Sequence, residues 1–271
     1  MTLSQLEYQI RSKESFLCVG LDTDLDKIPS HLKTADDPIF EFNKAIIDAT
    51  APYCVAFKPN MAFYEAYGTE GWISLERTIG YLNAHYPDHF TIADAKRGDI
   101  GNTAERYAQA FYEELGFDSI TISPYMGSDA IIPFLNHEEK YPIVLALTSN
   151  EGAFDFQYLE DSGLALYKKV VSSTQQYVHA EKLMYVVGAT KADRIAEIRS
   201  LAPNAFFLVP GVGAQGGDLA SVYEHGANAN VGLLVNSSRG IIYASNGADF
   251  AQAAAKAACE LQIQMKSLLL S

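Results

Sequence analysis

Phe90-Thr91-Ile92-Ala93-Asp94-Ala95-Lys96 is a short, almost unbroken apolar run that ends in charge. A strand with one face in water alternates apolar and polar residues, whereas a strand covered on both faces stays apolar throughout. The run therefore predicts a buried parallel strand. Seven more segments read the same way: Phe16–Leu21, Cys54–Lys58, Ser119–Ser123, Ile143–Thr148, Leu183–Gly188, Phe206–Val209 and Val231–Asn236. Helical patterns fall between them, among them Ile39–Ala51, Glu70–Ala84 and Asn102–Leu115, with Gly116 as a stop. An Ala-rich helix over Asp249–Leu268 follows the last run. Eight strand–helix units in 271 residues predict an α/β protein of the (β/α)8 TIM-barrel class, with residues 1–271 as one domain. A doubly wound sheet is the alternative. It often carries a Gly-rich fingerprint after the first strand, and Leu21-Asp22-Thr23-Asp24 is not one.

Composition narrows the function classes. Acidic residues outnumber basic ones by 33 to 20, a formal net charge of −13, which repels nucleic acid and anionic lipid. A small anionic substrate needs only a few local cations and stays open. Cys18, Cys54 and Cys259 form no CxxC pair, and an odd count argues against a disulfide framework. Cys18 and Cys54 sit in apolar runs and read as small core residues. MTLSQLEYQIRSKES at the start has no apolar signal core, and no run approaches the ~20 residues of a membrane span. A reducing cytoplasm is the expected location. His85 and His89 are four apart, but Pro87 between them spoils a helical metal pair, so no metal site is expected. The Tyr-rich segments read as core or interface.

Polar residues gather at the ends of the runs. Asp22 follows the first, Lys58 ends the second, Asp94 and Lys96 close the third, and Ser123 closes the fourth. Gln215 lies in the segment after the seventh, and Arg239 follows the eighth. In a barrel these ends converge on one face, so residues far apart in sequence become neighbours. Asp94 and Lys96 are two apart, which on a regular strand points both to one side. With Asp99 they put opposed charges within six residues, an arrangement costly to bury unless paired. A solvated strand end with a surface ion pair is the bland alternative. Pro210–Gly217 holds four glycines, which suits either a plain turn or close backbone approach to a phosphate.

The chain resembles the orotidine 5′-monophosphate decarboxylases, specifically the longer bacterial type. The resemblance runs through Val19-Gly-Leu-Asp22, Phe57-Lys58-Pro-Asn-Met-Ala-Phe-Tyr-Glu65, Asp94-Ala-Lys96-Arg-Gly-Asp99-Ile-Gly-Asn-Thr103 and Ser123-Pro-Tyr-Met-Gly127. It continues through Thr148-Ser-Asn150, Val187-Gly-Ala-Thr190, Val209-Pro-Gly-Val-Gly-Ala-Gln215-Gly-Gly217 and Asn236-Ser-Ser-Arg239. The DxKxxD…T element, the lysine one strand earlier and the late Gln and Arg together make the match specific.

The resemblance implies a cofactor-free decarboxylation of a pyrimidine nucleotide. Lys58, Asp94, Lys96 and Asp99 would form an alternating charge network. Asp22 and Lys58 would contact ribose hydroxyls, Ser123 the pyrimidine, and Gln215 and Arg239 the phosphate. Asp99 and Thr103 would reach into a neighbouring subunit's site, since the family is dimeric. Two other readings compete. A metal-dependent phosphosugar lyase or decarboxylase shares DxKxxD on the same barrel, but the FKPN lysine and the Gln/Arg pair favour the nucleotide enzyme. A non-catalytic nucleotide-binding barrel has no need of alternating buried lysines and aspartates.

Overall fold

The structure is a computed structural model that describes residues 1–189, 192–211 and 218–270. Eight strands form a closed barrel: β1 Leu17–Gly20, β2 Ala56–Lys58, β3 Phe90–Arg97, β4 Ser119–Ile122, β5 Tyr141–Leu147, β6 Met184–Val187, β7 Phe207–Pro210 and β8 Leu233–Ser237. Their order is β1-β8-β7-β6-β5-β4-β3-β2, and every register pair given by the barrel is parallel: Val19 with Phe57, Phe57 with Thr91, Thr121 with Ile143, Val186 with Leu208. The expected (β/α)8 class is thus the observed one. All residues of β1, β2, β4 and β6 are buried, the reason these segments read as continuous apolar runs.

Helices follow the strands, and their ends are written in local chemistry. In α1, Leu3–Lys13, the Thr2 hydroxyl accepts from Gln5 N–H while Gln5 Oε1 accepts from Thr2 N–H, a reciprocal capping box. In α2, Pro38–Thr50, Asp37 caps the first turn through Phe40 N–H and Pro38 presets the backbone. Asn60 caps the short α3, Met61–Glu65, which leads into α4, Gly68–His85. The predicted helix after β3 is two elements: α5, Gly101–Ala108, then a π-helical turn over Gln109–Glu114. Side-chain propensity does not separate these two hydrogen-bond spacings, and π turns recur near functional sites. A two-stranded antiparallel ribbon, Glu160–Asp161 with Leu164–Ala165, stands apart from the barrel.

The chain divides into two compact units: Met1–Ala95 with Glu114–Asp118 and Asn236–Ser271, and Lys96–Glu113 with Ser119–Val235. In the first, Phe42 stacks on Phe250 and Tyr243, with ring centroids 5.3 and 5.9 Å apart, fixing α2 against the C-terminal helix Phe250–Leu269. In the second, Arg199 lies over the Phe207 ring and donates to the carbonyls of Ala205, Gly226 and Gly232, tying the helix Ala192–Leu201 to the starts of β7 and β8. No helix among the described residues is long and apolar enough to cross a membrane.

Candidate active site

The first unit carries Asp22, Lys58, Asp94 and Arg239. Lys58 ends β2 in register with Gly20, and its side chain is 5 % exposed. An unpaired ammonium there would be costly, but Nζ stands 2.9 Å from Asp94 Oδ2 on β3. Burial alone lowers the pKa of Lys58. The carboxylates of Asp94 and Asp22 outweigh it and hold the ammonium above its ordinary value, so Lys58 is charged. Asp94 is itself anchored: its N–H donates to Pro59 O at 3.0 Å, and Asn60 bridges to it.

The loop after β1 presents Asp22 and is held by tyrosines. Tyr64 Oη donates to Leu21 O at 2.9 Å, and Tyr243 Oη donates to Asp22 O at 3.0 Å. Asp24 N–H donates to Tyr243 Oη and Leu25 N–H to Tyr67 Oη. Tyr64 is oriented in turn by Asn43 Nδ2, which also donates to Thr78. Asp22 Oδ1 and Asn236 Oδ1 are buried oxygens with no hydrogen-bond partner among the described residues. Gly20 explains itself here. A Cβ on it would lie 1.8 Å from Ser238 Oγ and 3.2 Å from Asn236 Oδ1, so a side chain at the end of β1 would force Ser238 to move. Arg239 opens the short helix Arg239–Ile242 after β8 and is exposed.

The second unit carries Lys96, Asp99, Thr103 and Ser123. β3 runs on to Arg97, but Lys96 has φ +48°, in the left-handed region. The expectation that Asp94 and Lys96 project from a regular strand therefore needs correcting, because strict alternation stops at Ala95. Lys96 N–H donates to the buried hydroxyl of Thr121 on β4 at 2.9 Å. Ser123 N–H donates to Arg97 O at 2.8 Å, and a Cβ on Gly98 would meet Ser123 Cβ at 3.2 Å. The Arg97 guanidinium lies 5.4 Å from both the Tyr107 and the Phe111 ring centroids. Asp99 Oδ1 accepts from Ile100 N–H at 2.8 Å. Lys96 and Thr103 are exposed, Thr103 in the first turn of α5, and Ile100, Tyr125 and Met126 are exposed apolar neighbours in sequence. Gln215 lies outside the described residues.

Sequence reasoning missed the tyrosine frame around Asp22 and the Thr121 hydroxyl under Lys96. The two buried cysteines behave as expected of core residues: burial pushes the Cys54 thiol up to about 12 and Cys18 higher still, so neither is a ready nucleophile.

Within the first unit, the arrangement can therefore offer charge at the ends of β1 and β2 and from Asp94 of β3. Known proteins agree in outline. A profile of the Orotidine 5'-phosphate decarboxylase / HUMPS family matches residues 15–255. An orotidine 5'-phosphate decarboxylase of Christiangramia forsetii is 61 % identical over 269 residues, 99 % of each chain. One of Flavobacterium johnsoniae is 59 % identical over 269 residues, covering 99 % of this chain and 98 % of its own. The solved OMP decarboxylase of Leishmania donovani superposes with TM-score 0.84 at 35 % identity, covering 100 % of both chains. With a matching profile over most of its length and relatives alike from end to end, the chain belongs to the orotidine 5'-phosphate decarboxylase / HUMPS family.

Proposed function

We propose that this chain removes CO2 from C6 of orotidine 5′-monophosphate to give uridine 5′-monophosphate, the closing step of UMP synthesis. The observation that carries the reading is the buried Lys58–Asp94 pair, 2.9 Å apart, leading directly into Lys96-Arg-Gly-Asp99.

Breaking the C6–carboxylate bond leaves an electron pair in an in-plane orbital at C6. No adjacent π system accepts it, so a charge placed beside C6 would do the work that an imine or thiazolium sink does in other decarboxylations. A fixed ammonium stabilises that pair electrostatically where water is excluded. Lys96 takes this role and passes a proton to C6, after which solvent restores its ammonium. Asp94 and Asp99 orient the lysines, and Asp94 keeps Lys58 charged. Asp94 also stands near the departing carboxylate, but preorganised stabilisation is the main effect, since ground-state repulsion alone is a weak explanation. The demand lies toward the upper end of the ~8–23 kcal/mol that enzymes supply.

Asp22 and Lys58 suit ribose hydroxyls, and the buried Asp22 Oδ1 is an acceptor that such a hydroxyl satisfies. Ser123 is assigned to the pyrimidine, and Gln215 with Arg239 to the phosphate, where the planar guanidinium fork fits. Residues 1–271 act as one barrel domain in a cytoplasmic homodimer, with Asp99 and Thr103 serving the neighbouring subunit's site. No cofactor or metal is assigned to the reaction.

The test is loss of orotate-ring absorbance on mixing with orotidine 5′-monophosphate, with and without a chelator, beside Lys96→Ala. We expect full activity in chelator and near-complete loss in the variant with its fold intact. Inhibition by chelator would favour a metal-dependent phosphosugar enzyme. Binding without turnover would favour a non-catalytic barrel. Activity of Lys96→Ala within tenfold of the parent would remove Lys96 from its role.

A further inference from the structure

A lysine at φ +48° inside a strand needs something to keep it there, because a residue with a Cβ rarely adopts that backbone. On a regular strand its N–H would go to a neighbouring backbone carbonyl. Here it goes to the Thr121 Oγ1 at 2.9 Å. Thr121 is fully buried in β4 and paired in register with Ile143 of β5. A β-branched side chain in such a place has little choice of χ1, so the hydroxyl is a fixed point. The next residue is fixed as well. Arg97 O accepts from Ser123 N–H, and the Arg97 guanidinium lies over Tyr107 and Phe111. The backbone of Lys96 is thus gripped at its own N–H and again one residue on.

We propose that Thr121 is a positioning residue for the decarboxylation: its hydroxyl holds Lys96 in the left-handed conformation and so sets where the ammonium stands relative to C6. This rests on the reading of Lys96 given above. A displacement of about 1 Å at a reacting group costs on the order of a hundredfold in rate, while substrate binding through remote groups is unaffected. Loss of the hydroxyl should therefore fall on kcat and spare KM.

Thr121→Val keeps the shape and deletes the acceptor, whereas Thr121→Ser keeps the acceptor. Thr121→Ala supplies the same comparison should the valine variant not fold. We expect kcat to fall about tenfold to a hundredfold in the valine or alanine variant, with KM within about threefold of the parent. The serine variant should keep kcat within about threefold. The proposal is overturned by a valine or alanine kcat within about twofold of serine, or by a serine variant as damaged as valine. Lys96→Ala, assayed alongside, separates the two ideas. If it retains turnover, the role of Lys96 itself fails. If it is inactive while valine and serine behave alike, only the role of Thr121 fails.

Discussion

Lys58 Nζ and Asp94 Oδ2 are 2.9 Å apart on neighbouring strands, with side-chain exposures of 5 and 12 %. Removing one partner of such a pair leaves the other charge buried and uncompensated, typically at a cost of about 3–5 kcal/mol. Asp22 also bears on Lys58, so the loss here should be smaller, about 2–3 kcal/mol. Asp94→Asn, which preserves shape, should lower the urea midpoint accordingly and cut turnover at least about a hundredfold. An unchanged midpoint would mean that the pair is not ionised.

Arg239→Ala should chiefly damage use of the phosphorylated substrate. Binding energy from a remote phosphate can be spent at the reacting carbon, so truncated orotidine lacking phosphate should be far less affected. Comparing kcat/KM for the two substrates decides the matter. Equal losses would show that Arg239 does not hold the phosphate.

Shared sites would appear in mixed dimers. Lys96→Ala and Asp99→Ala homodimers should each be inactive. In a mixed dimer, the subunit that keeps Lys96 receives an intact Asp99 from its partner, while the other site lacks both. Random re-pairing of equal amounts makes about half the dimers mixed, each with one intact site of two, so about a quarter of parental activity should return. No recovery after subunit exchange has been verified by mass would confine Asp99 to its own subunit's site.

His89 ties stability to pH. Its Nε2 lies 2.9 Å from Ala51 O and 2.6 Å from Lys13 Nζ, while Nδ1 is buried without a hydrogen-bond partner among the described residues. Burial, and then the charge of Lys13, lowers its pKa from 6.5 to about 4. The unfolded chain therefore binds a proton that the folded one refuses between those values. That contribution is complete above about pH 6.5 and is lost as pH falls toward 4. At about pH 5 the loss relative to pH 7 is about 2 kcal/mol. Urea unfolding should show this difference in the parent and a correspondingly flatter profile in His89→Gln. Parallel profiles would remove His89 from the account.

Much of this molecule was legible because burial on both faces leaves a plain mark. Each apolar run lies within two residues of a barrel strand, and the charges that end runs two and three include the buried pair. What escaped depends on partners distant in sequence. Tyr64 and Tyr243 look like any aromatic packing residue until their hydroxyls are seen donating to the loop at Asp22. Nothing in Asp94-Ala-Lys96 announces a left-handed lysine, because Thr121, which receives its N–H, is 25 residues away. Helix α1 has a legible start, since Thr2 and Gln5 are spaced as a capping box.

The tie between Tyr243 and Asp22 spans 221 residues, and it sets an order on the making of the protein. On the ribosome, chains emerge amino end first at about 5–20 residues per second. Tyr64 follows Leu21 within seconds at that pace, but Tyr243 comes 221 residues after Asp22, roughly 11–44 s later. The loop presenting Asp22 is thus made long before the last of its fastenings. A nascent chain short of Tyr243 can hold that loop through Tyr64 at Leu21 and Tyr67 at Leu25, but lacks the hydroxyl that grips Asp22 and Asp24 themselves.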